Sequence, residues 1–309
     1  MKKIITIGIF LFTCILTFSE IITYDEGTLD NQIIRVYPDT ILYNINSSTF
    51  PVNLTKENLS NEDLIFMGSG FIRSKDAPSF LNFEFEGMNS DLIKWKYYGS
   101  GTRYGGGWAR TVIPGSMLNL PLDFNKFFDL SLIGSGEIIC KGRYDVNYFI
   151  WNNENKKQAF NEFLGTIYPE PFRLFVNMEG QLININFVIN PDKWNLNWFR
   201  MANNEGVFSV WIEDLPGKYS VKDIKKETIL LNGVLKPSEI KILKEGKKSK
   251  MHIKFSKREG ISYIGYIEAG YTRTINISGQ FKDGKWFYGE KEIEITGKEE
   301  DNRYQKVKK

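Results

Sequence analysis

Residues 182–190 have the sequence LININFVIN, in which large apolar side chains recur at every second position. The apolar row consists of Ile183, Ile185, Phe187 and Ile189, and the row between them consists of Asn184, Asn186 and Val188. Successive side chains of a β-strand point to opposite faces, so this alternation turns one row toward a core and the other toward water. The segment therefore predicts a half-buried strand.

The chain beyond this strand continues with further short strand patterns. Turn sequences such as Leu215-Pro216-Gly217 and Asn232-Gly233 separate them. The strand-like segments are 182–190, 207–213, 228–231, 239–243, 250–255, 271–281 and 286–295. Seven short strands with regular turns in about 115 residues are typical of a two-sheet sandwich of the immunoglobulin-like type.

The order of these segments resembles a known kind of domain. The residues that carry the likeness are Ile189–Leu196, Val207–Glu213, Tyr219–Ile224, Thr228–Gly233, Met251–Phe255 and Ile275–Gly284. Across residues 181–297 they are similar to an accessory immunoglobulin-like β-sandwich module of secreted and surface bacterial proteins. The resemblance implies an accessory or structural role with no catalytic residues to transfer. The loop that is often Asp-rich in such modules, and then able to hold calcium, is the basic stretch Lys244–Lys250 here, which argues against a calcium site.

The first half of the chain also carries strand patterns. Leu81–Glu86 and Leu118–Phe124 alternate apolar with polar residues. Ile34–Leu42 repeats the strand, Pro-Asp, apolar order of Phe187–Trp194, which leaves open whether the first half duplicates the second or forms a different sandwich. Both alternatives predict an all-β chain.

The domain boundary is placed near Met178-Glu179-Gly180, after the proline-bracketed Tyr168–Pro171. Exposed turns of this composition commonly separate domains. We therefore expect two tandem β-sandwich (immunoglobulin-like) domains with minor short helices. The predicted divisions are a signal peptide at 1–19, domains at 20–180 and 181–297, and a charged, disordered tail at 298–309.

Helical patterns are scarce. Residues 153–164 are one candidate, because Phe160, Phe163 and Leu164 share a helical face and Gly165 follows them. Ser256–Glu259 has the pattern of a capping box and predicts the start of a short second helix.

The first nineteen residues have the pattern of a secretory signal peptide. Lys2 and Lys3 precede an uncharged, mostly apolar run that ends at Phe18, and we expect cleavage near Ser19. The run is shorter than the roughly 20 apolar residues of a membrane-spanning helix. Lipidation at Cys14 is the alternative, although Phe12-Thr13 fits its recognition pattern poorly. We expect an exported chain that is secreted, periplasmic or at the cell surface, with no transmembrane segment after cleavage.

Composition narrows the possible functions. The 309 residues are 42% hydrophobic and 15% aromatic, which is ample for a packed core. A net charge of +3, from 40 basic and 37 acidic residues, is too balanced to indicate a nucleic-acid partner.

Once Cys14 is removed with the signal peptide, Cys140 is alone, so we expect a buried thiol and no disulfide.

Residues suited to catalysis are few. His252 is the only histidine, so a multi-histidine zinc site is excluded, and no Gly-x-Ser-x-Gly motif supports a nucleophilic serine. The pairs Glu84/Glu86 and Glu292/Glu294 have a spacing near that of glycosidase carboxylates, but alternating glutamates are also the ordinary solvent face of a strand. We expect no enzyme activity, no metal and no cofactor, with a hydrolase as the third hypothesis.

Two surface segments are candidates for binding. Lys241–Arg258 holds eight basic residues and one acid. This favours a lysine-guarded sheet edge, on which the charges prevent strand-to-strand aggregation, over a surface that contacts an anionic polymer or lipid headgroups. Gly99–Gly107 is glycine-rich, lacks a phosphate-loop ending and is bracketed by aromatic residues. Since sugar rings stack on flat aromatic faces, the candidate ligand-binding residues are Trp95, Tyr97, Tyr104 and Trp108, with core packing as the alternative.

The sequence therefore predicts an exported, non-catalytic binding or structural module. A carbohydrate-binding protein that uses residues 95–108 is the second hypothesis. A glycan and another cell-surface protein are the partner classes considered, and the sequence does not choose between them.

Overall fold

Strands occupy most of the chain that the structure describes, as the alternating sequence predicts. The computed structural model describes residues 21–24, 31–61, 64–67, 81–87, 89–95, 109–152, 157–201, 206–246, 248–264, 269–297 and 304–306. Its helical segments are α1 (Phe124–Phe127), α2 (Lys257–Ser262) and short 3-10 turns at Ser90–Leu92, Leu196–Arg200 and Val221–Asp223. The all-β prediction, with short helices only, is confirmed.

The first half contains two larger sheets. Its strands are β1 (Ile21–Tyr24), β2 (Gln32–Pro38), β3 (Leu42–Tyr43), β4 (Pro51–Asn58), β5 (Leu64–Met67), β6 (Leu81–Gly87), β7 (Lys94–Trp95), β8 (Ala109–Val112), β9 (Met117–Asp123), β10 (Phe128–Asp129), β11 (Gly136–Asn152), β12 (Lys157–Ile167) and β13 (Phe172–Val176). The long strand β11 pairs antiparallel with β1, β6, β12 and β13, and β13 pairs parallel with β3. A second sheet has the order β2-β4-β9, while β5 with β8 and β7 with β10 form small two-stranded sheets.

The second half contains two more sheets. Its strands are β14 (Ile183–Asn184), β15 (Val188–Asn190), β16 (Lys193–Asn195), β17 (Val207–Ile212), β18 (Ile224–Leu231), β19 (Glu239–Glu245), β20 (Lys248–Ser256), β21 (Thr272–Phe281) and β22 (Trp286–Thr296). One sheet has the order β14-β22-β21-β18, with β16 also on β22, and the other has the order β15-β17-β20-β19. Trp194 of the first sheet and Phe208 of the second lie with ring centroids 4.5 Å apart, so the buried faces of the two sheets meet in one core.

All seven predicted segments of the second half form strands, but the first one is divided. Ile185, Phe187 and Ile189 are buried while Asn184, Asn186 and Val188 are exposed, as the alternation predicts. Residues 183–184 pair with β22, whereas residues 188–190 pair with β17 in the other sheet. The segment thus crosses from the edge of one sheet to the edge of the other.

The helix predicted at 153–164 is wrong. Residues 157–167 form β12, which lies antiparallel to β11 from Tyr144 to Asn152, and residues 153–156 lie outside the described chain. Two register shifts along this pairing interrupt the regular alternation of β12. Its sequence therefore lacks a clear period-two pattern. The hydrogen bonds of β11 override a weak local helical pattern.

The second predicted helix is confirmed. Ser256 is the N-cap of α2, and its side chain accepts a hydrogen bond from the backbone N–H of Glu259 at 3.3 Å. Gly260 lies inside this helix, where an added Cβ would come within 2.7 Å of the Phe208 ring. The glycine therefore allows α2 to pack closely on the aromatic core.

Part of the charged tail is ordered. Residues 298–309 are predicted to be disordered, yet Tyr304–Lys306 form β23, which pairs parallel with Met117–Asn119 of β9. The remaining tail residues lie outside the described chain. Three residues are too few to show a period-two pattern in the sequence. The strand is instead defined by its pairing with β9.

Buried charged residues join the two halves. Arg173 of β13 donates to the Ser278 hydroxyl and to the Thr228 carbonyl, each at 3.0 Å, and lies over the Trp286 ring. Glu57 of β4 accepts hydrogen bonds from Arg35 of β2 at 2.7 Å and from Arg258 of α2. Arg173 thus links β13, and Glu57 links β4, to residues of the second half.

Candidate functional site

The aromatic glycine-rich segment lies largely outside the described residues. Trp95 is the last residue of β7 and pairs with Phe128 of β10, but nothing is described of its side chain. Tyr97, Tyr104 and Trp108 are also outside the described residues. Sugar binding by this segment therefore stays a prediction.

The residues considered for catalysis lie apart from one another. Glu86 bonds the exposed Lys141, and Glu294 bonds Lys193 at 2.7 Å, so each carboxylate pair faces solvent beside a lysine. Cys140 is fully buried in β11, as predicted, and burial raises the pKa of its thiol. Within the described ranges no cluster of three or more His, Cys, Asp or Glu side chains could hold a metal ion.

A more extensive surface is formed by the outward side of the sheet β15-β17-β20-β19. In β17, Phe208, Val210 and Ile212 point into the core, so Ser209 and Trp211 point outward. The outward residues of the four strands, with Glu213 just after β17, form what we name the Trp211 face. They include Val188, Asn190, Val207, Ser209, Trp211, Glu213, Glu239, Lys241, Leu243, Lys248, Lys250, His252 and Lys254.

Strand register places Trp211 at the middle of this face. Val188 pairs with Trp211, Trp211 with His252, and His252 with Lys241, so the four side chains form one row across the sheet. Val188 is 56% exposed and Leu243, in the neighbouring row, is 42% exposed. Large apolar residues exposed together on one sheet are a feature of binding surfaces.

The Trp211 and His252 rings stack directly. Their centroids are 3.9 Å apart and their planes differ by 7°. His252 Nε2 lies 2.9 Å from the Ser209 hydroxyl, which orients the imidazole. The pKa of His252 is lowered, first by burial and then by repulsion from Lys254 and Lys241, against an opposing effect of Glu239. The neutral ring is therefore favoured, and it holds Trp211 in a fixed orientation.

A shallow depression of about 470 Å³ lies beside the tryptophan. It is lined by Val188, Trp211, Glu213, Leu243, Lys244 and Lys250. Apolar walls with a few charged groups at the rim are characteristic of sites that bind and orient a ligand.

Charges on the face are unevenly neutralised. Glu239 accepts hydrogen bonds from Lys241 and Lys254, which lower its pKa to about 2. The negative charge of this carboxylate is therefore balanced by the two lysines. Glu213 pairs with Lys250 at 3.2 Å. Lys244 forms no ion pair with any described residue, which leaves its positive charge at the rim of the depression.

Sequence reasoning missed this site, although a signal was present. The alternation of Met251-His252-Ile253-Lys254 places His252 on the outward side of its strand, and the alternation of Val207–Ile212 does the same for Trp211. That these two residues are neighbours depends on the pairing of β17 with β20, which local patterns do not reveal. The predicted lysine-guarded edge is found only in part. Residues 241–245 belong to β19 at the end of the sheet order, whereas residues 248–256 form β20, which lies between β17 and β19.

Comparisons with known proteins add little. No family model and no curated protein matches the chain. Solved structures that match include one reported for host cell surface retention of a 1.5-MDa bacterial ice-binding adhesin, with 10% identity and a TM-score of 0.19 over 86% of this chain and 64% of that one. SGBP-B of the Bacteroides ovatus mixed-linkage glucan utilization locus, in complex with a mixed-linkage heptasaccharide, has 12% identity and a TM-score of 0.20 over 86% and 48%.

The secreted serine protease VesC from Vibrio cholerae has 10% identity and a TM-score of 0.18 over 80% of this chain and 48% of that one. This chain thus spans about half to two thirds of the length of these structures. Scores this low carry no argument about function. Within the described part of the chain, no helix has the length and apolar character needed to cross a membrane.

Proposed function

We propose that this chain is an exported, non-catalytic binding module that holds a glycan on the Trp211 face. The observation that carries the proposal is the partly exposed Trp211, stacked on His252 at 3.9 Å in the middle of a sheet surface. Export rests on the signal-peptide pattern of the first nineteen residues.

The geometry of the face suits a sugar. The C–H-bearing side of a pyranose ring is apolar and packs on an aromatic ring, while its hydroxyls need hydrogen-bonding groups around it. Val188 and Leu243 extend the apolar surface, and Glu213 and Lys250 supply acceptors and donors at the rim. Holding the tryptophan in place by the imidazole reduces the entropy lost when a ligand binds.

The second half of the chain provides the scaffold. We infer that residues 181–297 are an immunoglobulin-like accessory module, supported by the seven predicted strand segments and their two facing sheets. Packing of the Trp211 face against a second protein is the alternative. The depression beside Trp211 favours a ligand over a flat protein contact.

The proposal is tested by a polysaccharide array with the native protein and Trp211→Ala. We expect binding to at least one class of glycan, lost in the variant while its β-type circular dichroism spectrum and cooperative unfolding are retained. The matched control is Tyr168→Ala, which removes an aromatic side chain that is 73% exposed elsewhere on the surface. Binding that is absent across the array, or unchanged by Trp211→Ala, would refute the function.

A further inference from the structure

We propose that the ligand of the Trp211 face is an acidic polysaccharide, whose sugar rings carry carboxylate groups as uronic acids do. This inference rests on the proposed function and specifies its ligand. It is drawn from the position of Lys244, which has no ion-pair partner among the described residues, relative to the Trp211 ring.

The charges next to Trp211 favour an anion. Lys244 and Lys250 line the depression together with a single carboxylate, Glu213, and that carboxylate pairs with Lys250. Lys244 is exposed and has no ion-pair partner among the described residues. A negatively charged group placed here would gain the attraction of Lys244 without displacing an existing bond of that lysine.

The chemistry of a uronic acid matches this layout. Its carboxylate projects from the edge of the ring, whereas its apolar C–H groups lie on the ring face. A ring stacked on Trp211 therefore directs the carboxylate sideways, toward the rim where Lys244 and Lys250 lie. An acidic peptide would bring negative charge but no flat ring for the tryptophan.

The same half of the chain offers an internal comparison. A second open depression of about 500 Å³ is lined by Lys222, Ile224, Lys225, Lys226, Glu227, Ile242 and Lys282. It is more basic than the first, yet no aromatic side chain is among the described residues that line it. A polyanion attracted by charge alone should prefer this second surface, whereas an acidic sugar should prefer the Trp211 face.

The test uses matched polymers that differ in charge alone. Polygalacturonate, alginate and hyaluronate are each compared with their methyl-esterified forms by calorimetry or affinity electrophoresis, and polyglutamate serves as a peptide polyanion. We expect at least tenfold tighter binding of one acidic polymer than of its ester, weakening as salt approaches about 0.5 M. Lys244→Ala should weaken binding about fivefold, the effect of one lysine near an anionic surface, while Lys226→Ala on the second surface leaves binding unchanged.

The remaining outcomes each overturn the acidic ligand, and one of them also overturns the glycan-binding function. Equal, Trp211-dependent binding of acid and ester forms would overturn the acidic ligand and leave the glycan-binding function standing. Binding that tolerates Trp211→Ala but is lost in Lys226→Ala, or polyglutamate bound as tightly as the sugars, would show attraction by charge alone and overturn the inference. No binding of these polymers, with binding of neutral glycans on the array, refutes the acidic ligand; no binding of any glycan refutes the function as well.

Discussion

Replacing Glu57 with glutamine should destabilise the contact between the two halves of the chain. The Glu57 side chain is 1% exposed, and its two oxygens accept from Arg35 and Arg258, whose side chains are 6% and 13% exposed. Arg35 belongs to the same sheet as Glu57, whereas Arg258 belongs to helix α2 of the second half. Glutamine preserves the shape but leaves two guanidinium groups without their carboxylate.

The expected loss follows from the burial of these charges. Removing one partner of a buried ion pair costs about 3–5 kcal/mol, because the desolvated charge loses its opposite charge. We expect Glu57→Gln to lower the free energy of unfolding by about 4 kcal/mol. For a chain of this size that corresponds to a fall in melting temperature of roughly 10 °C.

Calorimetry and urea unfolding followed by tryptophan fluorescence measure the loss. The matched control is Glu86→Gln, which breaks the exposed pair of Glu86 with Lys141 and should cost at most about 1 kcal/mol. If Glu57→Gln loses no more stability than Glu86→Gln, the buried arginines do not depend on Glu57, and this account of the contact is wrong.

Four other predictions are open to direct measurement. Intact-mass analysis of the exported protein should show a mature start near Ser19; retention of residues 1–19, or a lipid-modified Cys14, would contradict it. Residues 181–297 expressed alone should unfold cooperatively with a β-type circular dichroism spectrum, at a lower temperature than in the whole chain because Glu57 is missing; a fragment that stays disordered would place the boundary elsewhere. Because the folded pKa of His252 is below its ordinary value of about 6.5, the unfolded chain binds the proton more readily and stability should fall as pH drops below that value; His252→Gln should flatten this part of the unfolding profile. If Trp108 binds a ligand, Trp108→Ala should abolish glycan binding at unchanged stability, whereas a core Trp108 would cost about 3–5 kcal/mol on truncation.

Strand patterns gave a good account of the second half because the signal is local. The side chains of LININFVIN alternate in exposure as expected, since that alternation follows from the geometry of an extended chain. The division of this segment between two sheets was not predictable, because it depends on pairing with β22 and with β17, both distant in sequence.

The candidate site shows the same limit. A period-two reading places Trp211 and His252 on the outward side of their strands, but these residues are 41 positions apart and become neighbours only through the β17–β20 register. The helix prediction for residues 153–164 failed for a related reason. Antiparallel pairing of residues 157–167 with β11 outweighed their weak helical spacing.

The sequence by itself determined the all-β class, most strands of the second half and the burial of Cys140, because alternation and apolar content act within a few residues. Tertiary structure alone decided which strands pair, that Arg258 reaches Glu57 across 201 positions, and that Lys244, which has no ion-pair partner among the described residues, lies beside a stacked tryptophan. These arrangements are set by the summed packing and hydrogen bonding of distant segments, which no local window of residues contains.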